Sequence, residues 1–89
     1  MKNKRYLERI VKGFANHRRI EMLDLLERKP ELSLFDVADE LDINFKTASE
    51  HLRRLAIAEL VMKRNSGTSV RHALTIRGKH ILKFLRTLE

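Results

Sequence analysis

Near the N-terminus, apolar side chains recur at Leu7, Ile10, Val11 and Phe14, the i, i+3, i+4, i+7 spacing of one helix face. Arg9 and Lys12 stand between them, so an amphipathic helix starts from about residue 3. Asn16 is a good cap for a second helix, in which Ile20, Leu23 and Leu26 follow helical spacing until Lys29-Pro30 stops the pattern. Ser33-Leu34-Phe35-Asp36 then has the form of a capping box, with Leu32 and Val37 placed for a hydrophobic staple. The third helix starting there turns Val37, Ala38 and Leu41 inward and Asp36, Asp39 and Glu40 outward. Asp42-Ile43-Asn44 breaks it, and Asn44 caps a fourth helix that offers Ala48, Leu52 and Leu55 to the core.

After Leu60-Val61 the pattern changes from helical to extended. Residues 61–65 and 70–75 read as strands around Asn65-Ser66-Gly67-Thr68-Ser69, a run of turn formers, which predicts a hairpin with a polar tip. A short extended piece at residues 32–34 is placed to add a third strand. Thr75 caps a last helix whose Ile81, Leu82, Leu85 and Leu88 form a narrow apolar stripe. The expected fold is mainly α with a small β-hairpin, in the order α-α-α-α-β-β-α. With no repeat or linker, residues 1–89 are expected to form one domain.

Charge changes this picture more than composition does. The formal net charge is +7, and it is unevenly spread: residues 1–29 sum to +5, residues 30–60 to −4 and residues 61–89 to +6. Two basic ends around an acidic middle point to a polyanionic partner, because Lys and Arg displace counterions from phosphates whatever the base sequence. The chain has no cysteine, which excludes a disulfide framework and thiolate metal ligands. No long apolar run follows the basic Met1–Arg5 segment, so neither an export signal nor a membrane span is expected, and the location expected is the cytoplasm.

The stretch from Phe35 to Leu55 has the arrangement of a helix-turn-helix, about residues 33–58, followed by a basic hairpin at about 61–75. Ala38 permits close packing, Leu41 and Ile43 flank the turn, and Ala48 and Leu52 plug the second helix onto the first. With residues 18–26, Val37-Ala38-Asp39-Glu40-Leu41, residues 47–55 and Leu60-Val61, the chain resembles winged helix-turn-helix regulators of the ArsR type. Ala73-Leu74-Thr75-Ile76-Arg77-Gly78 is similar to the junction that follows the wing in MarR-type regulators. The resemblance implies a transcription regulator, a homodimer that puts its fourth helix in the major groove of double-stranded DNA and its wing on the flanking backbone.

Carried onto matching positions, it implies base contacts from Phe45, Lys46, Thr47, Ser49 and Glu50. Lys46 suits guanine acceptors, Thr47 and Ser49 suit bases or phosphates, Glu50 suits the cytosine amino group and Phe45 a thymine methyl. Phe45 also lies three residues before Ala48, a spacing that fits packing. Backbone contacts fall to Arg53, Arg54, Lys63, Arg64, Ser66, Thr68 and Arg71. The dimer contact is expected from Leu7, Ile10, Val11 and Phe14 on the first helix and Ile81, Leu85 and Leu88 on the last.

Two departures stand out: Asp42 and Glu59 occupy positions where the family often has glycine, and the third helix, near DNA in that fold, is acidic, which weakens phosphate contacts unless its carboxylates point away. Many ArsR-type proteins sense metals through thiols on the third helix or His and carboxylates on the last. Here Leu34-Phe35-Asp36-Val37 has no thiol and His80 stands alone, so no metal or other cofactor is expected. No nucleophile-base pair, carboxylate pair or phosphate-cradling loop is visible, which argues against an enzyme. The competing function is a winged-helix protein-protein adaptor, motivated by the acidic middle and by Glu50 on the recognition face.

Overall fold

Each of the five helices begins at a residue whose side-chain oxygen takes a backbone N–H that helical geometry leaves without a partner. In the computed structural model, which describes residues 1–89, Asn3 accepts from Tyr6, Asn16 from Arg18 and Arg19, Ser33 from Asp36, Asn44 from Lys46 and Thr47, and Thr75 from Gly78, all at 2.8–3.3 Å. The helices so started are α1 (Lys4–Phe14), α2 (His17–Arg28), α3 (Leu34–Leu41), α4 (Phe45–Ile57) and α5 (Ile76–Arg86). Strands β1 (Val61–Ser66) and β2 (Ser69–Leu74) form an antiparallel hairpin between α4 and α5, giving the expected order. Ser33 makes half of a capping box: no hydrogen bond returns from Asp36, whose side chain is one methylene shorter than the glutamate that closes the box.

The core gathers around α2. Met22, Leu23, Leu25 and Leu26 are all almost fully buried, because α2 touches α1, α4, α5 and β2 and so has core on more than one side. The single stripe expected from Ile20, Leu23 and Leu26 is therefore too narrow, and Ile20 is only half-buried. Val37 and Ala38 of α3, Ala48, Leu52 and Leu55 of α4, then Leu60, Val61, Leu74 and Leu82 complete the cluster.

Three local expectations are corrected. The strands run to a Ser66–Ser69 pair, so the hairpin tip is the two-residue turn Gly67-Thr68, in which Gly67 alone takes a positive φ of 62°. The segment before α3 adds a single bridge, Leu32 to His72, rather than a strand, because the chain enters α3 at Leu34. The last helix ends at Arg86, where Thr87 donates its hydroxyl to the Phe84 carbonyl, and Leu88 lies outside it.

Asp42 and Glu59 both adopt left-handed backbone, with φ of 52° and 59°. Each lets a following N–H reach back five residues, Ile43 to the Ala38 carbonyl at 3.0 Å and Leu60 to that of Leu55 at 2.9 Å, closing the ends of α3 and α4. The glycine geometry is kept without glycine. Left-handed backbone costs a side-chain-bearing residue about 1–2 kcal/mol, and glycine gives back about 0.4–1 kcal/mol through the freedom of the unfolded chain. Asp42 makes no side-chain hydrogen bond that would be lost. Asp42→Gly is therefore expected to raise stability by about 0.5–1 kcal/mol, read as a rise of a few degrees in the melting temperature.

Candidate nucleic-acid interface

The tight α3–α4 connection turns the polar side of α4 to solvent. Ala48, Leu52 and Leu55 are buried, while Phe45, Lys46, Thr47, Ser49, Glu50, Arg53 and Arg54 are exposed. Phe45 is 54% exposed. It is the first residue of α4, and helical side chains lean toward the N-terminus, here out past the turn.

Electrostatically, this surface centres on Glu50. Its Oε1 accepts from Arg53 Nη2 at 2.7 Å and Arg54 Nε at 3.2 Å, and its Oε2 accepts from Arg53 Nε at 2.9 Å. The Arg53 hydrogen bonds outweigh the cost of desolvation and, with the Arg53 charge and the Arg54 hydrogen bond and charge, hold its pKa at about 2. Glu50 is thus ionised at any physiological pH, and it occupies both guanidiniums expected on phosphates. The i, i+3 and i, i+4 spacing of Glu50, Arg53 and Arg54 is the legible sign of this arrangement.

In the hairpin, Lys63, Arg64, Ser66, Thr68 and Arg71 are all exposed. Arg64 and Arg71 are cross-strand partners, and both turn toward Glu31: Arg64 Nη1 pairs with its Oε1 at 3.2 Å and Arg71 Nη1 donates to its carbonyl at 3.2 Å. Glu31, at φ 68°, also donates its N–H to the His72 carbonyl at 3.0 Å. Nothing in the sequence around Pro30-Glu31 signals that this glutamate anchors the hairpin, since the contact spans forty residues.

His72 is the buried polar residue at the root of that hairpin. Its Nδ1 stands 2.9 Å from the Leu32 carbonyl, which can only accept, so Nδ1 carries the proton. Burial lowers its pKa below the usual 6.5, against the carbonyl bond, with Lys63 lowering it further. His51 is lowered as well, by burial first and then by the Arg19 guanidinium. For both, the unfolded chain takes up a proton at a pH where the folded one does not. Their stabilisation is whole above pH 6.5 and is lost as pH falls below it. The denaturation midpoint is expected to fall between pH 7.5 and pH 5, and the pH slope to flatten in His72→Gln.

The apolar positions on the outer helices divide. Phe14 is buried in the protomer's own core, Ile10, Ile81 and Leu85 are half-buried against it, and Leu7, Val11 and Leu88 are 38%, 51% and 67% exposed. Phe84, 53% exposed, joins them; it stands three residues after Ile81 and four before Leu88, on the same face, and the stripe reading passed over it. The residues do not fit a resident metal: no three His, Cys, Asp or Glu side chains come together, and His80 is exposed and alone. No helix is long and apolar enough to cross a membrane.

Four helices and a hairpin built around a short α3–α4 turn, closed by a fifth helix, define a winged helix-turn-helix protein. The bacterial regulatory protein family arsR matches residues 16–63, more than half of the chain, and the chain belongs to that family. It is similar to the homodimeric winged helix-turn-helix DNA-binding domain of Mb0332 from Mycobacterium bovis, with 25% identity and a TM-score of 0.85 over 99% of this chain and 87% of that one. HlyU from Vibrio cholerae N16961 is 28% identical with a TM-score of 0.82, covering 98% and 95%. The transcriptional regulator HlyU from Vibrio vulnificus CMCP6 is 29% identical with a TM-score of 0.75, covering 92% and 85%. No curated protein matches the chain by sequence.

Proposed function

We propose that this protein is a sequence-specific transcription regulator that binds double-stranded DNA as a homodimer in the cytoplasm, with α4 in the major groove and the β1–β2 wing on the flanking backbone. The observation that carries this reading is the exposed polar face of α4, projecting from a helix-turn-helix beside a basic hairpin. Lys46, Thr47, Ser49 and Glu50 meet base edges, with Phe45 exposed for a thymine methyl. Arg53, Arg54, Lys63, Arg64, Ser66, Thr68 and Arg71 meet phosphates. Leu7, Val11 and Leu88 offer apolar surface to a second protomer, Ile10, Ile81 and Leu85 line it, and Phe14 supports it from within. The homodimeric DNA-binding domain from Mycobacterium bovis supports both parts of the reading. Two recognition helices about 34 Å apart call for a palindromic site.

The test is selection of sites from random duplex DNA at about 150 mM salt, where purely electrostatic binding is weak. An enriched palindrome is expected. Lys46→Ala and Ser49→Ala should each lose about 1–3 kcal/mol of discrimination between bases, whereas Arg71→Ala should weaken all duplexes alike and reduce the salt slope by about 1. Equal behaviour of the two classes would overturn this division of roles.

The adaptor reading is favoured by one feature: Phe35, 67% exposed, stands on α3 among the exposed acids Asp36, Asp39 and Glu40. Folded protein that binds no duplex even at low salt would select it over DNA binding.

A further inference from the structure

α1 crosses the end of α4 where Gly13 faces Ala58, and beside that crossing the two helices leave an open groove of about 250 Å³. Four cations line it: Arg9 and Lys12 from α1, Arg53 and Arg54 from α4. Neighbouring Arg19, on α2, reaches the Lys12 carbonyl and His51 Nδ1 only at 3.5 Å each, and its Nε is buried with no hydrogen-bond partner. Two anions pair with these cations, and a third, Glu59, lines the adjoining pocket with Arg9 but pairs with Arg77 at 3.3 Å. Glu8 pairs with Lys12 at 3.5 Å, both side chains being largely exposed, and Glu50 is shared between Arg53 and Arg54. Arg9 has neither an ion pair nor a hydrogen bond. Five guanidinium or ammonium groups therefore have ion pairs with only two carboxylates, Glu8 and Glu50. His51 faces them in its neutral form, and the charge of Arg54 is already felt at Arg19.

The like charges of Arg9, Lys12, Arg53 and Arg54 along one groove lack a full counter-charge, which an anion in the groove would supply. The groove is also continuous with the outward side of α4. Lys46, Glu50, Arg53 and Ile57 follow one another at i+4, i+3 and i+4, a single row on the helix surface that starts at the expected base contacts and ends at the groove lining.

We propose that the α1–α4 groove is a seat for phosphodiester oxygens of the DNA backbone, with Arg9 and Lys12 as its dedicated cations. This rests on the DNA-binding reading and extends it, because no part of α1 belongs to the helix-turn-helix or the wing. α1 then has two jobs on two faces, apolar Leu7 and Val11 toward a second protomer and basic Arg9 and Lys12 toward DNA. Such a seat adds affinity for any duplex and no preference among sequences, since it touches only backbone.

The experiment titrates the full chain and its R9A/K12A variant with a selected duplex and an unrelated one, from about 50 to 300 mM salt, with circular dichroism melting as the check on folding. Each phosphate contact contributes about 0.9 to the slope of log affinity against log salt, so the variant is expected to lose about 2 from the slope on both duplexes while the ratio between them holds. R9K/K12R, which keeps the charges, should keep the slope. A folded R9A/K12A protein with the wild-type slope overturns the seat, as does an R9K/K12R protein that loses the slope. Wild-type protein that binds neither duplex at about 50 mM salt overturns the DNA reading itself, an outcome distinct from a normal wild type with an unaffected variant.

Discussion

Gly78→Ala is expected to destabilise the fold by about 2–3 kcal/mol, although alanine is the better helix former by about 1 kcal/mol. Gly78 lies in the first turn of α5, its N–H donated to the capping Thr75 hydroxyl at 2.9 Å. A Cβ there would stand 2.1 Å from the Leu60 carbonyl oxygen and 3.1 Å from the Leu60 carbonyl carbon. That oxygen already accepts the Thr75 N–H at 3.1 Å and belongs to a fully buried residue, so it cannot swing aside. α5 would have to lift off the wing root, straining the Arg77 bond to the Ala58 carbonyl at 3.0 Å and the burial of Leu82 one turn on. For a chain this short the loss corresponds to roughly 10 °C or more in melting temperature. Thermal unfolding of both proteins at equal concentration decides it. An unchanged or raised melting temperature, the result for an exposed helical glycine, would mean that α5 does not pack on Leu60 in this way.

Glu50→Gln is expected to raise affinity for unrelated duplex DNA about tenfold near 150 mM salt and to steepen the salt dependence by up to about 2. In the free protein the Glu50 carboxylate holds Arg53 through two hydrogen bonds and Arg54 through one. Glutamine cannot hold a guanidinium by charge, so both arginines become free to release counterions from phosphates, and a negative charge leaves the surface proposed to face DNA. On the proposed DNA-binding reading, the wild-type glutamate would lower general affinity and improve discrimination, provided its own contact with a cytosine amino group is kept. Electrophoretic or anisotropy titrations on a selected site and on an unrelated one separate the effects: unrelated duplex gains, and the ratio of the two affinities falls. Weaker binding to both duplexes would show instead that Glu50 orients the arginines onto phosphates. Because the pKa of Glu50 is about 2, the wild-type behaviour should not change between pH 5 and pH 8 on its account.

The fold was almost wholly legible along the chain because its signals are local. Asn16, Ser33, Asn44 and Thr75 satisfy N–H groups two or three residues away, and that chemistry needs no tertiary partner. Val37, Ala38, Ala48, Leu52 and Leu55 fall at helical spacing and are buried as that spacing requires. The errors are of the opposite kind. The breadth of the α2 core depended on how many elements surround it, and the single Leu32–His72 bridge depended on where α3 begins. The exposure of Phe45 was open because one spacing served both packing and solvent.

By itself, then, the sequence determined which residues cap the starts of α2 to α5, which positions of α3 and α4 face the core, and that the chain is basic at both ends. Those properties follow from backbone hydrogen bonding, helical periodicity and composition, all of which act over a few residues. Only the tertiary structure decided which charges meet. Glu31 joins both wing arginines across more than thirty residues, Arg9 and Lys12 come beside Arg53 and Arg54, and Arg19 is left with a buried N–H unpaired. Electrostatic pairing depends on distance in space and on exclusion of water, and neither quantity exists until the helices have packed.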